Sequence, residues 1–142
     1  MQLEQLYRFI HPRKLAVIST VAPNGDPQSA LVGIAVSPQL QIVFDTVRSS
    51  RKYTNLKNDP RISLVIGWDA EITLQYQGIA TEPEGETLRH AKDIYFQTWP
   101  DGVERQQWPG ITWFLVNPTW VRYSDFDTHH IEEMTFPTPS QG

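Results

Sequence analysis

The chain has 142 residues, 12 Lys and Arg against 16 Asp and Glu, a formal net charge of −4 and a pI near 5.5, so a polyanion meets overall repulsion and nucleic-acid binding is disfavoured. Hydrophobic residues at 39% and charged residues at 20% are an ordinary globular composition for one domain over 1–142, well away from disorder. Cysteine is absent, which excludes disulfides, thiolate metal sites and cysteine nucleophiles, and no apolar run reaches the ~18 residues of a membrane span or forms a signal core, so a soluble cytoplasmic protein is expected.

In chain order, Leu3, Leu6, Tyr7 and Ile10 predict a short amphipathic helix that Pro12 ends. A strand from Leu15 to Val21, a turn at Pro23-Asn24-Gly25-Asp26 and a returning strand from Gln28 to Val36 form a hairpin. A Ser37-Pro38-Gln39 turn leads to a strand from Leu40 to Thr46, which completes a three-stranded meander. The pattern then turns helical, with Ser49 or Ser50 as the N-cap and Asp59-Pro60 as the stop. A second hairpin joins Arg61–Trp68 to Glu71–Thr81 through Asp69-Ala70. Glu84 to Phe96 has helical spacing, 98–110 reads as a loop rich in Pro and Gly, and strands at 111–117 and 119–125 finish the core. In a polar tail from about 127 to 142, residues 131–136 add an edge strand or dock on a partner. Seven or so strands with short helices between them predict an antiparallel barrel or sandwich, because parallel strands need crossover helices.

The stretch Asp45-Thr46-Val47-Arg48-Ser49-Ser50-Arg51-Lys52 carries most of the chemistry. Arg51 and Lys52 stand in the first turn of a helix, against its macrodipole, where the backbone already presents unpaired N–H groups. A phosphate there accepts from those groups, from the hydroxyls of Thr46, Ser49 or Ser50, and from both cations. The alternative is that the cations are solvated or paired with a nearby Asp.

These elements and their order resemble the pyridoxamine 5′-phosphate oxidase-like family of flavin-binding split barrels. The resemblance runs from about Leu15 to Thr81. It is carried by Asn24-Gly25, Ala30-Leu31-Val32-Gly33-Ile34, Phe44-Asp45-Thr46, Ser50-Arg51-Lys52, Asn58-Asp59-Pro60-Arg61, Trp68 and Tyr76-Gln77-Gly78, and beyond them by Tyr95-Phe96 and Pro118-Thr119-Trp120-Val121. It implies a mainly β split barrel, a homodimer, and two sites for flavin mononucleotide (FMN) at the subunit interface. Ala30, Leu31, Val32 and Gly33 would run beside the flavin ring. Asp45, Thr46, Arg51 and Lys52 would lie near the phosphate, and Thr73 or Gln75 near the ring's polar edge. The flavin carries the chemistry, and a small-molecule substrate or nicotinamide donor is the implied partner.

Departures from the oxidases bear on the substrate. Where they supply an Arg and a Lys on the second strand, this chain has Ala30 and Ala35, and where an Arg and a Ser hold the substrate phosphate it has Trp99 and Val103. A charged fork is thereby replaced by apolar surface, which argues against a phosphorylated pyridoxamine as substrate. Trp99 and Trp108 either close over the flavin or its substrate or fill a dimer core. Adjacent His129 and His130 with Glu132 and Glu133 read as a solvated tail and not as a metal site, and Glu82, Glu84 and Glu86 read as complements to a helix start. Three functions stay open at this point: a flavin-dependent oxidoreductase, a non-catalytic flavin- or haem-binding protein on the same scaffold, and a cofactor-free dimeric interaction module.

Overall fold

Antiparallel pairing organises the molecule, and the computed structural model describes residues 1–137 of it. The elements are α1 (Leu3–Ile10), β1 (Leu15–Val21), β2 (Pro27–Gly33), β3 (Ala35–Val36), β4 (Ile42–Val47), α2 (Arg51–Asn58), β5 (Arg61–Ile66), β6 (Ile72–Thr81), α3 (Gly85–Thr98), α4 (Gly102–Arg105), β7 (Ile111–Asp125) and β8 (His130–Thr135). The strands form one sheet in the order β2-β1-β5-β6-β7-β4-β3, with β8 also paired to β7. β2 and β3 are consecutive in the chain yet stand at opposite ends of that order, so the sheet curls until its ends meet. The result is a split β-barrel, as expected.

Each strand presents alternate residues inward. Ile18, Ile42, Phe44, Leu64, Ile66, Leu74, Phe114, Val116 and Val121 fill the interior, which α1 closes with Leu6 and Ile10. At roughly 25 cal/mol per Å², each large side chain so buried contributes on the order of 2 kcal/mol. Tyr76 is also fully buried, and its hydroxyl donates to the Leu40 carbonyl at 2.8 Å. A second, smaller cluster lies outside the barrel, where Ala91 and Tyr95 of α3 pack on Ala35, Val43, Trp113 and Leu115.

Several expectations change. The single strand from Gln28 to Val36 breaks at Ile34, whose N–H goes to the Lys14 carbonyl. β2 therefore pairs with β1, and β3 with β4, so the continuous meander does not form. Leu40 lies outside the next strand, at φ 64°. The first helix ends at Ile10 and passes into a 3₁₀ turn at His11–Arg13 around Pro12. β5 stops at Ile66, short of Trp68, and β6 starts at Ile72. α3 runs to Thr98, and the loop at 98–110 contains the short α4.

The two strands expected at 111–117 and 119–125 are one, β7. Its first half pairs with β4, its second half with β8, and most of its length with β6. Pro118 is accommodated because Gly78 faces Pro118 and Gln77 faces Trp120, which leaves Thr119 as the extra residue of a bulge. A Cβ at Gly78 would come within 2.5 Å of the Asn117 carbonyl, so only glycine allows this approach. The edge strand expected at 131–136 exists as β8. The remainder of the expected tail, 138–142, lies outside the described residues. No helix among the described residues is long and apolar enough to cross a membrane.

Candidate functional site

β4 delivers the chain to the start of α2, where Ser50, rather than Ser49, is the N-cap: its hydroxyl accepts from the Tyr53 N–H at 3.3 Å and lies 2.9 Å from that of Thr46. The first turn carries no acidic residue, and its first two positions are Arg51 and Lys52. Asn55, buried one turn on, donates to Thr20 on β1 and Gln28 on β2, each at 2.9 Å, which fixes the helix against the hairpin. Arg51 and Lys52 consequently face Thr20, Gln28, Ser29 and Ala30 across a cavity of about 110 Å³. Ser49 is exposed.

Among the described residues, neither Arg51 nor Lys52 forms an ion pair. Burial holds the Lys52 ammonium below its ordinary pKa, and Asp45 only partly opposes this. A partly buried cation without a partner beside a helix N-terminus favours an anion. At about 110 Å³ the cavity encloses a group of phosphate size, well short of the roughly 300–1,000 Å³ of sites that enclose larger organic ligands.

β2 lies beside this cavity at the end of the sheet order. The bonds from Ile34 to Lys14 and from Ala22 to Asp26 set the alternation of the hairpin. They leave the backbone N–H and C=O groups of Leu31 and Gly33 directed away from β1. Ala30 and Val32 are half-buried and Leu31 is 61% exposed. Trp99 belongs to this corner: its Nε1–H donates to the Ile34 carbonyl at 2.9 Å, and its ring occupies the space a Cβ at Gly33 would need. Trp108, 55% exposed, follows α4 and makes no such contact.

Thr73 and Gln75 stand elsewhere. Leu31, Val17, Val65 and Gln75 form one row across β2, β1, β5 and β6 on the outer face. Three strand spacings, roughly 14 Å, therefore separate Gln75 from Leu31. Thr73 lies two residues further along the same strand. The outer face is apolar where Leu15, Leu31, Val65 and Trp68 are exposed. It also carries a groove of about 490 Å³ lined by Ser19, Val21, Arg61, Ser63, Gln77 and Ile79.

Asp45 and Thr46 leave β4 on opposite faces. The Asp45 carboxylate accepts from Arg105 Nε at 3.0 Å, and the same guanidinium donates to Asp101 and to the Tyr95 hydroxyl. Burial first, and then the Asp45 charge, push the Tyr95 phenol above its usual pKa. The sequence gives little sign of this network, because Arg105 lies in a stretch that reads as loop.

Glu82 has a role other than the one its position in the sequence suggests. It precedes α3 and does not complement its dipole; Glu86 is the acidic residue in that first turn. Glu82 instead accepts from Thr112 at 2.6 Å, Tyr53 at 3.0 Å, Lys57 at 3.2 Å and Arg48 at 3.3 Å. The available clue was the Tyr53–Lys57 spacing, which places two donors on one helix face. At the far end of the molecule, His130 bonds Glu132 at 2.7 Å on the exposed β8. No group of three or more metal-ligating side chains occurs among the described residues.

A family model described as pyridoxamine 5′-phosphate oxidase matches residues 3–125. A curated pyridoxine/pyridoxamine 5′-phosphate oxidase from Rubrobacter xylanophilus is 27% identical over 106 residues, 74% of this chain and 47% of that protein. The chain thus spans about half the length of that relative. Among solved structures, a heme binding protein from Mycobacterium smegmatis aligns at a TM-score of 0.82 with 17% identity, covering 95% of this chain and 58% of that one. General Stress Protein 26 from Bacillus anthracis aligns at 0.73 with 22% identity, covering 96% and 100%. At these identities the structural likenesses establish the fold.

Proposed function

The chain belongs to the pyridoxamine 5′-phosphate oxidase family, and from that premise we propose that it is a flavin-dependent oxidoreductase that binds FMN at the seam of a homodimer. The observation that carries this reading is the pair Arg51 and Lys52, set side by side without a carboxylate partner at the mouth of a cavity sized for a phosphate. Those two side chains, the Thr46 and Ser50 hydroxyls and the free N–H groups of the first turn would hold the phosphate. Flavin supplies electron transfer when bound; the protein positions it and keeps water from its ring.

Three observations favour a second copy at this site. The cavity at Arg51 and Lys52 is too small to enclose a nucleotide, the outer face of β2, β1 and β5 exposes Leu31, Leu15 and Val65, and Gln75 is too far from Leu31 to meet the same ring within one chain. A partner subunit laid on that face would bring its own Thr73 and Gln75 toward the ring. The substrate is then a flat or weakly anionic molecule: Ala30 and Ala35 offer no charge, and Trp99 covers Gly33 with an aromatic ring.

The test is absorbance between roughly 350 and 500 nm on purified protein, followed by FMN titration and reduction by a nicotinamide donor. Charge-assisted bonds are worth about 1.5–3 kcal/mol each, so Arg51→Ala with Lys52→Ala weakens FMN binding about 100-fold or more. Val65→Glu, a charge on the apolar face, gives a monomer by sedimentation that holds FMN poorly. A protein that takes up no FMN, or a double variant that binds it as wild type does, overturns the proposal. A stable complex without turnover reduces it to a flavin carrier.

A further inference from the structure

The side chain of Arg105, on α4, is 19% exposed, and each of its nitrogens has a partner on a different part of the chain. Nε donates to Asp45 Oδ2 on β4 at 3.0 Å, Nη1 to Asp101 ahead of α4 at 2.9 Å, and Nη2 to the Tyr95 hydroxyl on α3 at 3.1 Å. Tyr95 is itself buried against β3, β4 and β7. A planar guanidinium held at three points cannot turn without breaking all three bonds. The Asp45 carboxylate, 16% exposed, is thereby tied to α3 and to the start of α4.

The carboxylate so tied stands close to Lys52. Asp45 adjoins Thr46, whose hydroxyl lies 2.9 Å from that of Ser50 at the head of α2, and Lys52 follows two residues later. β3 covers β4 at Ile42 and Val43 and no further, so at Asp45 the edge of β4 is open toward β2, and Lys52 lines the cavity there with Ala30. Among the described residues Asp45 supplies the charge that acts on the Lys52 ammonium, and Arg105 supplies none directly. A mostly buried carboxylate that loses its guanidinium must be neutralised by another cation or by a proton, and Lys52 is the cation its charge already reaches. We infer that Arg105 is a positioning residue: by holding Asp45 it keeps Lys52 unpaired, and so open to a phosphate. That last step rests on the reading of Arg51 and Lys52 as the phosphate grip; the hold on Asp45 does not.

The experiment is a double-variant cycle on the full chain with two readouts. Lysine side chains labelled with ¹³C are titrated without ligand, Lys52 being assigned by its missing signal in Lys52→Arg, and FMN binding is followed near neutral pH by quenching of flavin fluorescence. Arg105→Met should raise the Lys52 titration midpoint and weaken FMN about tenfold. With Asp45→Asn also present, both readouts should return to those of Asp45→Asn alone, a rescue that damaged packing at α4 would not show. Should Arg105→Met unfold, Arg105→Gln, which keeps a donor without the charge, takes its place, and Arg105→Lys should restore most of the wild-type behaviour. A Lys52 midpoint that Arg105→Met leaves unchanged, or raises equally with Asp45→Asn present, overturns the inference. So does a raised midpoint at wild-type FMN affinity, since Lys52 would then not meet the phosphate. A chain that binds no FMN sinks the flavin reading instead and leaves the lysine titration to decide this one.

Discussion

Two pairs of cations on and just before α2 are treated differently by the fold. Arg48 and Lys57 both reach Glu82, at 3.3 and 3.2 Å, and that carboxylate is completed by Tyr53 and Thr112. Arg51 and Lys52, at the head of the same helix, receive no carboxylate from the described chain. Asp45, near enough to influence Lys52, is occupied by Arg105. One region therefore uses charge to hold elements together, and the other leaves two adjacent cations unpaired. Substitutions in the first should register in stability, and those in the second in binding.

The largest effect on stability is expected at Glu82→Ala. Arg48 and Lys57 are about half exposed and return to water at little cost, whereas the buried Thr112 hydroxyl and the Tyr53 hydroxyl lose their acceptor. A loss of about 2 kcal/mol follows, read as a lower urea midpoint at unchanged slope. FMN affinity should change little. A Glu82→Ala protein of wild-type stability but without FMN binding would erase the distinction between the regions.

A smaller effect is expected in the acid limb. Burial raises the Glu82 pKa, but the bonds from Thr112, Tyr53 and Lys57 outweigh it and hold the carboxyl below its usual range. A carboxylate depressed in the folded state contributes stability at pH above its unfolded value of about 4.3, and that contribution is lost as pH falls through the folded value. Asp59, held at about 2 by hydrogen bonds from the Arg61 side chain and backbone, adds the same sign. Unfolding midpoints measured from pH 7 down to 3 should fall more steeply in the wild type than in Glu82→Gln. Parallel curves would show that Glu82 does not govern this limb.

What could be read in the sequence follows the range of the interactions. Strand alternation at Ile18, Ile42 and Phe44, the Asn24-Gly25 turn and the cap at Ser50 are local patterns, and all appear in the fold. The break at Ile34 lies within an unbroken apolar run, and it shows only in the fold, where β2 pairs with β1 while β3 pairs with β4. Pro118 reads as a strand end because the bulge that accommodates it depends on Gly78, forty residues earlier in the chain. Glu82 collects donors from Arg48 and Thr112, 34 and 30 residues away, so the Tyr53–Lys57 spacing shows two donors on one helix face but not the acceptor they share. In the cavity beside Arg51 and Lys52, the cations were legible and their neighbours Thr20, Gln28 and Ser29 were not, since β1 and β2 meet α2 only in the folded molecule.

Ser50 offers the smallest expected change and the sharpest separation of the two uses of charge. Its hydroxyl caps the Tyr53 N–H, and the cap is worth about 1 kcal/mol. Ser50→Ala should cost about that much in stability and also weaken FMN binding, because one candidate phosphate donor is lost. Ser50→Asp keeps the cap and adds a carboxylate that complements the macrodipole, so its stability should equal or exceed that of the wild type. The same carboxylate sits beside Arg51 and Lys52, where it satisfies the two unpaired cations and competes with a phosphate. Stability and FMN affinity are thus expected to move together in Ser50→Ala and in opposite directions in Ser50→Asp, with melting curves and FMN titration as the two readouts. If Ser50→Asp retained full affinity, the phosphate would not be held at this turn, and Arg51 and Lys52 would need another occupant.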